Sequence, residues 1–147
     1  MTQKADQKQQ TREAILASAA ALLRERGIKA SSVMDVMKGA GLTVGGFYNH
    51  FESKEELFSE TIRSAASCMW DRLLTSARSD SPREKAKHVL RGYLSRTHRD
   101  QPENGCLLPS VAGEIAREGE PYRQALESEL EHFVVSYSSL LVDENIG

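Results

Sequence analysis

Apolar residues recur at three- and four-residue intervals along almost the whole 147-residue chain, and the interruptions carry helix stop or start signals. A chain patterned this way buries its apolar stripes by packing helix on helix, so the fold expected is all-α. A first helix is expected over 8–26, with Ile15, Leu16, Ala19, Leu22 and Leu23 on one face and Gly27 as its stop. A second begins after Ser31 or Ser32, either of which can cap it, and shows Val33, Val36, Met37 and Ala40 on one face. Gly41 ends it, Leu42 and Thr43 make a turn, and a short helix over 44–50 buries Phe47 and Phe51. Ser53-Lys-Glu-Glu56 is a capping box that opens a long helix bearing Leu57, Phe58, Ile62, Ala65, Ala66, Met69, Leu73 and Leu74 on one face. Ser81-Pro-Arg-Glu84 repeats the device with proline in the first helical position, which predicts a helix over 82–98 with Val89, Leu90, Tyr93 and Leu94 facing inward. The stretch 100–105 is a break. Amphipathic helices are then expected over 106–117, through Leu107, Leu108, Val111, Ala112 and Ile115, and over 121–142.

Several function classes lack their residues. Cys68 and Cys106 lie far apart with no paired spacing, so they form neither a zinc site nor a redox motif and are expected as buried free thiols in a reducing compartment. No apolar run approaches the ~20 residues that span a bilayer, and residues 1–10 have no signal-peptide core. The expectation is a soluble cytoplasmic protein with no membrane partner. Gly39-Ala-Gly-Leu-Thr-Val-Gly45 imitates a dinucleotide-binding glycine motif, but that motif needs an apolar strand before it and a long helix after it, and neither is present in the pattern. No Ser/His/acid set, paired carboxylates or His-x-x-x-His spacing occurs, and His50, His88, His98 and His132 are scattered. The chain is expected to be no enzyme, with no cofactor and no metal.

The net charge of −2 is unevenly spread. Residues 1–51 hold seven Lys/Arg against four Asp/Glu, residues 52–100 ten against eight, and residues 101–147 two against nine. The N-terminal end can therefore approach phosphates while the C-terminal end is repelled. A helix, a glycine turn and a second short helix form the arrangement that reads a major groove. Glycine inside a helix costs about 1 kcal/mol relative to alanine. Gly45 and Gly46 thus either let the short helix sit close to phosphates or a thymine methyl group, or simply tighten the turn. Thr43 can cap that helix and donate to a phosphate. Tyr48, Asn49 and His50 cannot all be buried beside Phe47 and Phe51, and Lys54 adds a cation to a helix N-terminus that already favours anions.

These residues resemble the TetR family of bacterial transcriptional regulators. The likeness begins at Thr11-Arg-x-x-Ile-Leu-x-x-Ala19, passes through Gly27 and Ser32-Val-x-x-Val-Met, and is densest over Ala40-Gly-Leu-Thr-x-Gly-x-Phe-Tyr-x-x-Phe-x-Ser-Lys-Glu-x-Leu57. Downstream, Asn104-Gly-Cys-Leu-Leu-x-x-x-x-x-Glu114 looks like the start of a ligand-domain helix in one branch of the family. The resemblance implies a helix-turn-helix DNA-binding domain over 1–52 and a helical ligand-binding and dimerisation domain over 53–147. It implies a ligand-responsive repressor that binds a palindromic double-stranded DNA operator as a homodimer. A small hydrophobic effector would release it by moving the helix that opens at Ser53. Position by position, Ser32, Thr43, Tyr48 and Lys54 would contact the DNA backbone, and Val44, Gly45, Gly46, Asn49 and His50 would read bases. Lys4, Lys8 and Arg12 would reach flanking phosphates. An effector would lie among Met69, Trp70, Leu73, Leu90, Tyr93, Leu94, His98, Leu107 and Val111. Family members continue with another long helix where this chain stops at Gly147, so the body is expected to be C-terminally short. The stripe Leu126, Leu130, Phe133, Tyr137 and Leu140 is then the expected dimer surface, lacking cover. The rival expectation is a truncated, non-DNA-binding interaction protein that forms mixed dimers with a full-length relative.

Overall fold

Seven α-helices and two 3-10 turns make up the regular structure in the computed structural model, which describes residues 2–142. α1 spans Gln3–Arg26, α2 Val33–Gly39, α3 Lys54–Ser76, α4 Pro82–Tyr93, α5 Arg96–Asp100, α6 Leu108–Glu118 and α7 Tyr122–Val142. The 3-10 turns are Val44–Asn49 and Pro102–Asn104, and no strand occurs among the described residues. No described helix is long and apolar enough to cross a membrane, and no cluster of His, Cys, Asp and Glu suited to a metal occurs among these residues.

The start and stop signals work largely as the sequence predicts. Ser32 caps α2 by accepting from the Asp35 N–H, and Ser53 caps α3 by accepting from the Glu56 N–H. One detail differs: the Glu56 carboxylate reaches back to the Glu52 N–H, one residue beyond the partner a capping box uses. α1 starts at Gln3 rather than near residue 8, because its first two turns are polar helix formers with no apolar period to announce them.

The helix expected over 82–98 is broken. α4 stops at Tyr93, and Ser95 adopts an extended conformation and caps α5 by accepting from the His98 N–H at 3.2 Å. A serine hydroxyl that competes for backbone donors in this way ends one helix and starts the next. α4 buries Ala86 and Val89, and Leu90 and Leu94, expected inward, face solvent at 49% and 78% exposure.

One core runs across the boundary expected at residues 52/53. Ile15, Leu23, Val36, Phe47 and Phe51 from the N-terminal helices share it with Leu57, Phe58 and Ile62 of α3, Leu107, Val111 and Ile115 around α6, and Tyr122 and Ala125 of α7. A second cluster centres on Ala66, Met69 and Trp70, with Leu73, Tyr93, Leu108, Leu130 and Phe133 packed on it. The stripe expected to be an uncovered dimer surface is therefore partly internal. Leu130 and Phe133 close the second cluster, the Tyr137 hydroxyl donates to the Ala86 carbonyl at 3.2 Å, and Leu140 is half-buried. The apolar side chains left open on α7 are instead Val134, Val135, Leu141 and Val142. An open groove of about 660 Å³ runs beside Ile115, Leu126, Leu130, Val134 and Val135, edged by Arg123, Glu127 and Glu131.

Candidate nucleic-acid interface

α2 ends in a paired hydrogen-bond closure that turns the chain sharply. The Leu42 N–H donates to the Met37 carbonyl at 2.9 Å and the Gly41 N–H to the Lys38 carbonyl at 3.0 Å, with Gly41 at φ +71°. This is the Schellman arrangement, whose left-handed position suits glycine, and it packs Leu42 against the core beside Met37. The turn delivers Thr43 in extended conformation to the start of the Val44–Asn49 segment.

That segment is a 3-10 helix rather than the α-helix expected over 44–50. The tighter winding puts Phe47 inward, stacked on Phe51 at 5.9 Å between ring centres, while its neighbours point out. Tyr48 is 76% exposed, with its ring edge on Phe47, and Asn49, Thr43 and Val44 are exposed as well. Nothing lies within 4 Å of the position a Cβ would take at Gly45, and at Gly46 only the Met37 methyl lies as near as 4.0 Å. Neither glycine has positive φ. Inside this chain, then, no clash and no strained backbone requires glycine at either place.

Beside Asn49 and His50, one face of α1 supplies Lys4, Gln7, Lys8 and Thr11, and together they line a concavity of about 390 Å³. Gln7 and Thr11 were not singled out from the sequence. Their signal was the spacing 4, 7, 8, 11, which stacks four polar side chains on one helix face. His50 is half-buried, and its Nδ1 is buried without a hydrogen-bond partner. Burial holds its pKa below the ordinary 6.5, and the charges of Lys8 and Arg12 push the same way, so the ring is neutral at pH 7.

Arg12 does not reach outward as expected. Its guanidinium pairs with the Glu60 carboxylate, donates to the His50 carbonyl and lies over the Phe51 ring at 4.1 Å. It is a brace between α1, the 3-10 segment and α3, with each of its three nitrogens donating one bond inside the protein. Ser32 is likewise engaged: its hydroxyl caps α2 and donates to Asp35 Oδ2 at 2.8 Å. Lys54 stands at the first position of α3, its Nζ 5.3 Å from the centre of the Phe58 ring.

The residues expected around an effector form a packed aromatic cluster. Trp70 stacks on Phe133 at 4.1 Å and on Tyr93 at 5.9 Å, and Tyr93 lies 4.5 Å from the His98 ring. His98 Nε2 accepts from the Cys106 N–H at 2.9 Å, which makes that nitrogen the unprotonated one. Burial raises the pKa of the Cys106 thiol and of the Tyr93 phenol, so neither ionises readily. Met69, Leu107 and Val111 are buried and Leu73 is packed on the cluster of Met69 and Trp70, while Leu90 and Leu94 lie outside. The void beside Met69, Trp70 and Leu107 measures about 10 Å³, space for no effector in this conformation. The Trp70 Nε1 is buried there without a hydrogen-bond partner.

Residues 15–61 match the family described as bacterial regulatory proteins, tetR family. The HTH-type transcriptional repressor KstR2 of Mycobacterium tuberculosis is 43% identical over 63 residues, which cover 43% of this chain and 32% of that protein. The match thus spans about a third of the relative's length. In three dimensions a Rhodococcus protein described as a TetR-family transcriptional regulator superposes with a TM-score of 0.77 at 24% identity, over 90% of this chain and 70% of the other. Reduced NemR of E. coli gives 0.72 at 24% identity, over 90% and 69%. At those identities the likeness speaks for the fold, head and body together.

Proposed function

We propose that the chain belongs to the TetR family of bacterial regulatory proteins and is a transcriptional repressor that reads a palindromic DNA operator as a dimer and releases it on binding a small apolar effector. The observation that carries this reading is the empty space at Gly45. A glycine that the protein's own backbone and packing do not require lies at the start of an exposed reading segment, next to outward Tyr48 and Asn49 and a lysine-lined concavity. What it leaves room for lies outside the molecule. Asn49 then reads base edges with Val44, Gly45, Gly46 and the imidazole of His50 close by. Tyr48, Thr43, Lys54, Lys4 and Lys8 hold phosphates, and Ser32 supports them by fixing the start of α2.

The second copy is placed on the apolar groove of α7, beside Leu126, Leu130, Val134 and Val135, because that is an open apolar surface rimmed by charge. Two heads on one face of B-DNA must lie about 34 to 36 Å apart or a multiple of that. An effector that opens the Trp70 cluster loosens DNA only if it prefers a head spacing that DNA disfavours, and DNA then weakens effector binding by the same factor.

The test is selection of fragments from a random DNA library by the purified chain, with the mass in solution followed by sedimentation equilibrium. A dimer that enriches an inverted repeat supports the proposal. A monomer or aggregate that enriches no sequence defeats it.

A further inference from the structure

The segment around Glu114 has no part in reading DNA or in the aromatic cluster, yet it makes polar contacts with the head across more than eighty residues of sequence. From α6, Glu114 Oε1 accepts from the Ile28 N–H and Oε2 from the Lys29 N–H, each at 2.8 Å. Those two amides follow Gly27, the C-cap of α1, and precede Ser32, the cap of α2, by four and three residues. The surroundings tighten the same junction. Ser110 Oγ donates to the Arg24 carbonyl at 2.7 Å, Arg24 Nε donates to the Gly105 carbonyl at 2.9 Å, and Lys29 faces Glu118 at 3.3 Å.

Two features mark this as more than a helix stop. A helix C-terminus carries partial negative charge, so a carboxylate beside it is the wrong sign and is held only by its two direct hydrogen bonds. Gly27, besides its φ of +79°, has no room for a side chain: a Cβ there would lie 1.9 Å from Glu114 Oε1. Gly27 alone would end α1; here its lack of a side chain also admits the carboxylate.

We infer that Glu114 is a positioning residue, the strap through which α6 sets the orientation of the DNA-reading head on the body. At its other end α6 begins with Leu108, packed on the Trp70 cluster beside Cys106, whose N–H is held by His98. Movement of that cluster thus reaches α2 through α6 and Glu114, without passing along α3. The inference rests on the proposed reading as a two-headed DNA regulator.

The experiment compares the full chain with Glu114→Gln, which keeps one acceptor but turns an NH₂ toward the second amide. The DNA probes are a fragment selected by the unaltered protein and the same fragment with one half scrambled. A strap that aligns heads predicts a roughly 5- to 30-fold weaker affinity for the two-half fragment, with affinity for the single half unchanged. Hydrogen exchange at Ile28 and Lys29 quickens by about tenfold in the same variant. Equal weakening on both fragments means that the head itself is damaged and overturns the inference, as does no change on either. If the unaltered chain selects no two-half sequence, the function proposed above fails by itself. The strap is then decided by exchange, and unchanged protection at Ile28, Lys29 and α2 overturns it. Should Glu114→Gln not fold by its melting curve, Ser110→Ala loosens the same junction and is expected to show the same pattern, smaller in size.

Discussion

Replacing Gly45 by alanine should strengthen the fold and weaken the function. In the folded chain the added methyl group meets nothing within 4 Å, and the backbone there is not in the left-handed region, so no strain opposes it. The unfolded chain meanwhile loses freedom, which stabilises by about 0.4–1 kcal/mol where the native backbone is compatible. For a chain of this length that is a rise in Tm of about 1–4 °C. On DNA the sign reverses. A methyl carbon keeps about 3.5–4.0 Å from its neighbours, so a backbone seated against the groove is lifted by on the order of 1 Å. That stretches adjoining hydrogen bonds beyond their working range, and the loss of one good base contact costs about 1–3 kcal/mol, or roughly 5- to 150-fold in affinity. Calorimetry and fluorescence anisotropy on the selected fragment measure the two halves. Affinity unchanged by Gly45→Ala would mean that the open space at this glycine serves no ligand, and a lower Tm would contradict the geometry of the 3-10 segment. Gly27→Ala is the contrast, since there both φ and the Glu114 carboxylate oppose a side chain and stability must fall.

Asn49→Ala should relax preference at particular base pairs, whereas Tyr48→Ala or Lys54→Ala should weaken specific and random DNA alike; competition with scrambled fragments separates them, and equal losses for Asn49→Ala would defeat the division. Arg12→Met should lower stability by about 1–3 kcal/mol through its part-buried contacts to Glu60 and the His50 carbonyl, yet leave the salt dependence of DNA binding unaltered, because the guanidinium faces inward. Tyr122 is buried near Glu55 and Glu118, burial being the main cause that pushes its pKa from the ordinary 10.0 up to about 12. Its folded pKa is the higher one, so its neutral phenol contributes fully below pH 10 and that contribution is lost as pH climbs toward 12; Tyr122→Phe should flatten the alkaline arm of a pH–stability curve measured by urea unfolding.

His50 has the opposite sign, which shows how local sequence and tertiary surroundings divide the labour. As an isolated histidine it would titrate near 6.5, but burial first, and then Lys8 and Arg12, lower it, so charging it on acidification opposes folding. Nothing in 44–51 announces that: Lys8 and Arg12 come from α1, some forty residues earlier, and meet it only once the helices pack.

The starts of α2 and α3 and the stop of α2 were legible because they are local chemistry. Ser32 and Ser53 cap with donors three residues away, and Gly41 closes α2 through bonds that span three to five residues. The inward Phe47 and Phe51 and the outward Tyr48 and Asn49 were legible for a related reason, since a short helix has only one buried face. Three further matters lay beyond the sequence. Leu90 and Leu94 fit an inward stripe, but α4 packs through Ala86 and Val89 and leaves both outside. Arg12 has the same cationic side chain as a phosphate ligand, and only the position of Glu60 and the Phe51 ring turned it into a brace. The bond from Glu114 to Ile28 joins residues 86 apart, and no period or spacing encodes it. Periodicity says which face of a helix is apolar and capping says where the helix ends. Which partner lies against that face depends on how all the helices share one core, and that is decided only when they pack.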